Sequence, residues 1–168
     1  MKFLLSLALL LSPMPALTCV CAGTQTVQKA YSESYAIFAG RMIAAEYRKG
    51  IKNEFAEMDN EWRGKKREYE VLVYRFEVAR WYKGDNGSSE AVLVSEVVRF
   101  DDGTESVSDC GLGFKENEGY LVYAYGDKDE IGTGACSRTK SLSRVQPDIT
   151  VLEKLIKGIK PPRRSSTR

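Results

Sequence analysis

Four cysteines set the strongest limit on what this chain can fold into: Cys19 and Cys21 sit one residue apart near the start, and Cys110 and Cys136 lie far downstream. An even count in an exported chain reads as two disulfides, for which three connectivities are possible. Export is what the preceding residues indicate. Lys2, an apolar run from Phe3 to Leu11 and a small-residue stretch closing at Ala16-Leu17-Thr18 follow the order of a signal peptide. That run is far shorter than the roughly 20 residues a membrane-crossing helix needs, and no later segment is long and apolar enough. The expectation is a leader over residues 1–18, removed to leave a secreted or periplasmic protein that begins at Cys19. Cleavage after Ala16 or after Ala22 are the alternatives. A lipid-attachment site wants Leu three before the cysteine and Ala or Gly directly before it, whereas Ala16 and Thr18 stand there, which disfavours lipidation of Cys19.

Charge narrows the class of partner. Lys and Arg total 25 against 23 acids, and Lys157, Lys160, Arg163, Arg164 and Arg168 fall in an acid-free C-terminal stretch, so the body is mildly acidic. A nucleic-acid surface concentrates positive charge on the folded body, and this chain does the reverse. The chain has no histidine. Ser-His-Asp and Cys-His catalysis and the common zinc sites are thereby removed, and neither an enzyme nor a resident metal or cofactor is expected. Asp101, Asp102 and Glu105 lack the ligand spacing of a calcium loop and read as a solvated turn.

Apolar spacing divides the body into elements. Residues 24–33 predict a short helix, with Val27, Ala30 and Tyr31 on one side. Tyr35 to Tyr47 predicts a strand bent or bulged at Gly40. The highly charged residues 48–67 read as a solvated loop. Tyr69 to Tyr82 is the clearest strand, with Leu72, Tyr74, Phe76 and Val78 on one face and Val71 and Val73 on the other. Strands over Glu90 to Arg99, Tyr120 to Tyr125 and Ile131 to Ser137 follow. Gly111-Leu112-Gly113-Phe114 reads as a turn. Pro147-Asp148 opens a closing helix that Asp148 can cap, with Ile149, Leu152, Leu155, Ile156 and Ile159 along one side. Residues 159–168 have nothing to bury and are expected to form a disordered basic tail. Five strands with a helix at each end imply a mainly β domain over residues 19–158, a five-stranded OB-like antiparallel β-barrel with flanking α-helices.

Several short stretches then fall in a telling order: Cys19-Val20-Cys21, Ile37-Phe38-Ala39-Gly40-Arg41, Tyr82-Lys83-Gly84, Asp109-Cys110-Gly111, Tyr120-Leu121-Val122-Tyr123-Ala124 and Cys136-Ser137-Arg138-Thr139. Together they resemble the netrin-like module, and within it the inhibitory domain of the tissue inhibitors of metalloproteinases, over roughly Cys19 to Leu155. A single-domain bacterial member of that group is the expectation. The resemblance implies disulfides Cys19–Cys110 and Cys21–Cys136. It also implies an inhibitory edge, in which the free α-amino group and carbonyl oxygen of Cys19 chelate the catalytic zinc of a target metalloendopeptidase. Val20 would enter the adjoining primed-side pocket, and Cys21 would anchor the edge. The alternative is a non-inhibitory netrin-like module that binds another protein or serves the cell envelope structurally. A third reading gives one face to a saccharide through Tyr69, Tyr74, Trp81 and Tyr82, although core packing explains those rings better.

Overall fold

A computed structural model describes residues 19, 21, 23, 25–85, 87–108 and 110–158. The leader over residues 1–18, Val20 and the tail over residues 159–168 lie outside the described residues. The protein is mainly β. Among the described residues there are seven strands: β1 (Ala36–Lys49), β2 (Tyr69–Lys83), β3 (Glu90–Phe100), β4 (Glu105–Val107), β5 (Gly119–Gly126), β6 (Ile131–Gly132) and β7 (Lys140–Ser141). Three α-helices accompany them: α1 (Val27–Glu33), α2 (Glu54–Arg63) and α3 (Gln146–Gly158). Neighbours in the sheet run β1-β2-β3-β6-β5-β7, and β1 also pairs with β5, so the sheet closes on itself. All the pairings are antiparallel except β3 with β6.

Alternation along the strands sorts the core. Phe38 and Met42 of β1, Tyr74 and Phe76 of β2, Leu93 of β3, and Tyr120 and Val122 of β5 meet in one cluster, the interior of the closed sheet. Leu72 and Val78 pack on it, as the period-two reading of β2 predicts. Phe114, from the stretch read as a turn, inserts edge-on against Tyr74, Phe76 and Tyr120. The opposite side chains face outward and are covered by helices. Ile37, Ala39, Leu121, Tyr123 and Tyr82 lie against Val27 and Ala30 of α1 and Leu152 of α3.

Gly40 marks a bulge, as its place in an otherwise apolar strand suggests. The β1–β2 register slips between Ala39 and Gly40, and a Cβ at Gly40 would stand 2.7 Å from the Glu77 carbonyl oxygen. The two backbones therefore approach more closely there than any side chain allows.

Residues 48–67 are not the solvated loop their charge suggests, because α2 lies within them. Asn53 caps its start by accepting the Ala56 N–H at 3.1 Å, Glu54 and Glu57 sit in the first turn, and Gly64 ends it at a φ of 62°. Ala56 then packs with Val71, Val98 and Phe100 on the outside of the sheet. Within the basic run, Arg67 is largely buried, stacks 3.6 Å over the Phe100 ring and pairs with Asp59 and Asp102.

Two further expectations need correction. The strand expected over Ile131 to Ser137 runs only over Ile131–Gly132, with one isolated bridge beyond it at Gly134. Beyond it, the Thr133 hydroxyl donates to the Tyr123 carbonyl oxygen at 3.0 Å and lies within hydrogen-bonding distance of Ser137 and Thr139, giving side-chain bonds in place of a ladder. Asp148 does not cap α3: it lies inside the first turn, buried, where ion pairs hold it.

Candidate functional site

Chain topology brings the two downstream cysteines together before any disulfide is considered. Gly111 and Gly134 form an isolated bridge between their loops, and the Ala135 N–H donates to the Cys110 carbonyl oxygen at 2.8 Å. Cys110 is held further by its own N–H donating to the Ser108 hydroxyl at 3.2 Å. This paired platform receives the N-terminal stretch through two disulfides. Cys19 joins Cys110 with Cα atoms 5.1 Å apart, and Cys21 joins Cys136 with Cα atoms 5.3 Å apart. The pairing is the one the resemblance implies. Both bridges close long loops, of 91 and 115 positions, and on chain entropy alone each is worth about 4 to 5 kcal/mol, an upper figure.

The sulfurs of Cys19, Cys21 and Cys136 lie within 4.8 Å of one another, the only group of at least three metal-ligating side chains among the described residues. Each is bound in a disulfide. A metal ligand must be a thiolate, so in this oxidised state the cluster holds the chain rather than an ion. The same bond takes the Cys19 sulfur that a lipid thioether would need.

A third tie follows the cysteines. The Gly23 N–H donates to the Cys21 carbonyl oxygen at 2.8 Å, turning the chain, and Arg138 then donates to the Gln25 carbonyl oxygen. The same guanidinium grips both Asp148 carboxylate oxygens, at 3.0 and 2.8 Å, so one side chain links the N-terminal stretch to α3. Lys140 donates to Asp148 at 3.3 Å, and the Tyr123 hydroxyl donates to it at the same distance. Burial alone would raise the Asp148 pKa. The hydrogen bonds and charge of Arg138, followed by those of Lys140, outweigh it and hold the carboxyl below its usual range. Tyr123 shifts upward, first through burial and then through the Asp148 charge.

Thr26 caps α1 by accepting the Lys29 N–H at 3.2 Å, and the Lys83 ammonium closes the other end by donating to the Tyr31 and Ser34 carbonyl oxygens. Lys83 comes from the Tyr82-Lys83-Gly84 stretch. Its role as a helix terminator is invisible in sequence, because its partners stand about fifty positions away. Beside the disulfides, a groove of about 470 Å³ is lined by Ala30, Cys110, Tyr125, Cys136 and Arg138.

The other sequence candidates do not form a site together. Asp102 accepts from the Thr104 hydroxyl and backbone N–H and from Arg67, and Glu105 accepts from Arg99 and Tyr47. Tyr74 and Trp81 belong to the interior, Tyr82 packs outside under the helices, and Tyr69 bonds Glu57 and Asn53 beside α2. The four rings do not lie on one common face. Val20, between the anchored cysteines, lies outside the described residues. No helix among the described residues is long and apolar enough to cross a membrane. The sequence matches no protein-family model, and no curated protein matches it.

Proposed function

We propose that the protein is an extracytoplasmic, non-enzymatic inhibitor of zinc metalloendopeptidases, built on an OB-like, netrin-like barrel and acting through the mature N-terminus at Cys19. The observation that carries this reading is the double anchorage of the edge: Cys19 and Cys21 are each bound to a loop, and those loops are hydrogen-bonded to each other. The strand order, closed through β1 and β5 with β3 parallel to β6, supports the barrel type.

Anchorage matters because a chelating terminus gains affinity when it is ordered before it binds. A catalytic zinc keeps one position open for water. With residues 1–18 removed, the Cys19 amine nitrogen and carbonyl oxygen take that position and expel the nucleophile, while Val20 fills the neighbouring substrate pocket. Only the neutral amine is a ligand, and an α-amino group titrates near 7.7 to 8.0. The chain has no histidine and its described cysteines are all in disulfides, so this amine is the group whose ordinary pKa falls in the neutral range.

The test begins with secreted protein shown by intact mass to start at Cys19, titrated against a panel of zinc metalloendopeptidases. Inhibition of at least one enzyme is expected, strengthening on the order of tenfold from pH 6.5 to 8.5 after correction for the enzyme's own titration. No inhibition of any member would favour the non-inhibitory module, and a flat pH profile would remove the amine from the mechanism.

A further inference from the structure

A second groove, of about 580 Å³, lies on the outside of the closed sheet between α2 and the β3, β6 and β5 strands. Met58, Val94, Glu96, Tyr125 and Gly132 line it. Tyr125 and Glu96 also line the groove beside the disulfides, so this outer trough adjoins it at that pair. Its floor is low because glycine stands at 132: a Cβ there would come within 3.2 Å of the Tyr125 ring. Met58 and Tyr125 are left 67% and 46% exposed. A neighbouring Met and Tyr bordering one depression are apolar surface of the kind that partners cover.

The charge along this trough is one-sided. Glu54, Glu96 and Glu130 line the outer groove against Lys52 alone. Among the described residues none of these three carboxylates forms an ion pair, and the Glu96 carboxylate accepts the Tyr125 hydroxyl, at 3.2 Å. Phosphates and anionic lipid are repelled by such a lining. The carboxylates do not converge as metal ligands, since the one cluster of ligating side chains among the described residues is the cysteines. Spread carboxylates beside an exposed ring and a thioether complement a long cationic side chain, which lays its stem on apolar surface and its head among acids.

We propose that this trough docks an extended segment of a partner protein that carries an arginine or lysine between apolar side chains. The proposal stands independently of zinc chelation, because it uses neither the amine nor Val20. The full chain, labelled with nitrogen-15, is titrated with acetyl-Leu-Arg-Leu-amide and with its citrulline and glutamate counterparts, which change only the central side chain. The arginine probe is expected to move the amide signals of Val94, Glu96, Tyr125 and Gly132. Citrulline should bind about threefold or more weakly, and the double variant Glu96→Gln/Glu130→Gln, which keeps a hydrogen-bond acceptor for Tyr125, should weaken the arginine probe by a similar factor with its thermal midpoint unchanged. Equal binding of the arginine and citrulline probes, signals moving elsewhere, or no movement up to the solubility limit would overturn the proposal. It would be overturned also if removing residues 159–168 shifted the same signals, since the occupant would then be the chain's own basic segment.

Discussion

Arg138 touches three parts of the chain at once: the backbone at Gln25, the carboxylate of Asp148 and, through Asp148, the hydroxyl of Tyr123. Removing its guanidinium leaves a carboxylate that is 3% exposed with only Lys140 for a charged partner. Arg138→Ala should therefore lower the unfolding free energy by about 3 kcal/mol, measured by urea titration at neutral pH. Acid probes the same pair. The Asp148 pKa is depressed in the folded state, so its contribution is complete above the ordinary carboxylate value near 3.9 and is lost as pH falls through that value and then the depressed one. The stability gap between the native protein and Asp148→Asn should close between pH 5 and pH 2, and a constant gap would contradict the assignment. The sequence contains Arg138 in plain view beside Cys136, yet its partners are Gln25, far upstream, and an aspartate that reads locally as a helix cap. Local spacing reports which face a residue takes, and it cannot report which distant charge that face meets.

At the scale of elements, β2 was readable and α2 was not, for one physical reason. The strand's inward set, Leu72, Tyr74, Phe76 and Val78, is apolar throughout and produces a clean period of two. The helix buries Ala56 and the polar Asn60 while leaving its large apolar residues Met58 and Trp62 exposed, so its apolar positions do not mark the face that packs. Its information sits in its ends, at Asn53 and Gly64. Asn60 adds a side-chain clamp by donating to the Arg67 carbonyl oxygen at 3.0 Å and accepting the Arg67 N–H at 3.2 Å, which turns the chain back into β2. If the caps define α2, Asn53→Ala should cost about 1 kcal/mol and raise amide exchange locally in the first turn. Unchanged exchange at Ala56 and Glu57 would show that packing alone sets the helix start. The strand expected over Ile131 to Ser137 is present but ends early, as the short β6 at Ile131–Gly132. Its backbone departs after Gly132, where hydroxyl bonds and the Cys136 disulfide take over from pairing.

For the whole molecule, the closed sheet supplies a rigid body and the two disulfides fasten the chain's first described residues to it. Replacing the Cys21–Cys136 pair by serines should lower stability by about 2 to 5 kcal/mol, read as a shift in the urea midpoint, while the strand pairing of the body survives. Loss of the body's fold along with the bridge would show that the edge is part of the core rather than attached to it. The presence of a cysteine framework and a mainly β body was legible from the cysteine count and the strand periods. The pairing itself came only with the resemblance, because four cysteines alone allow three arrangements. The central claim concerns one nitrogen atom, and it is tested most directly by adding a single alanine ahead of Cys19. That extension leaves both disulfides in place and converts the amine into an amide. The account predicts that inhibition of a sensitive metalloendopeptidase is lost in the extended protein while its thermal midpoint is unchanged; an inhibition constant equal to that of the protein beginning at Cys19 would contradict it.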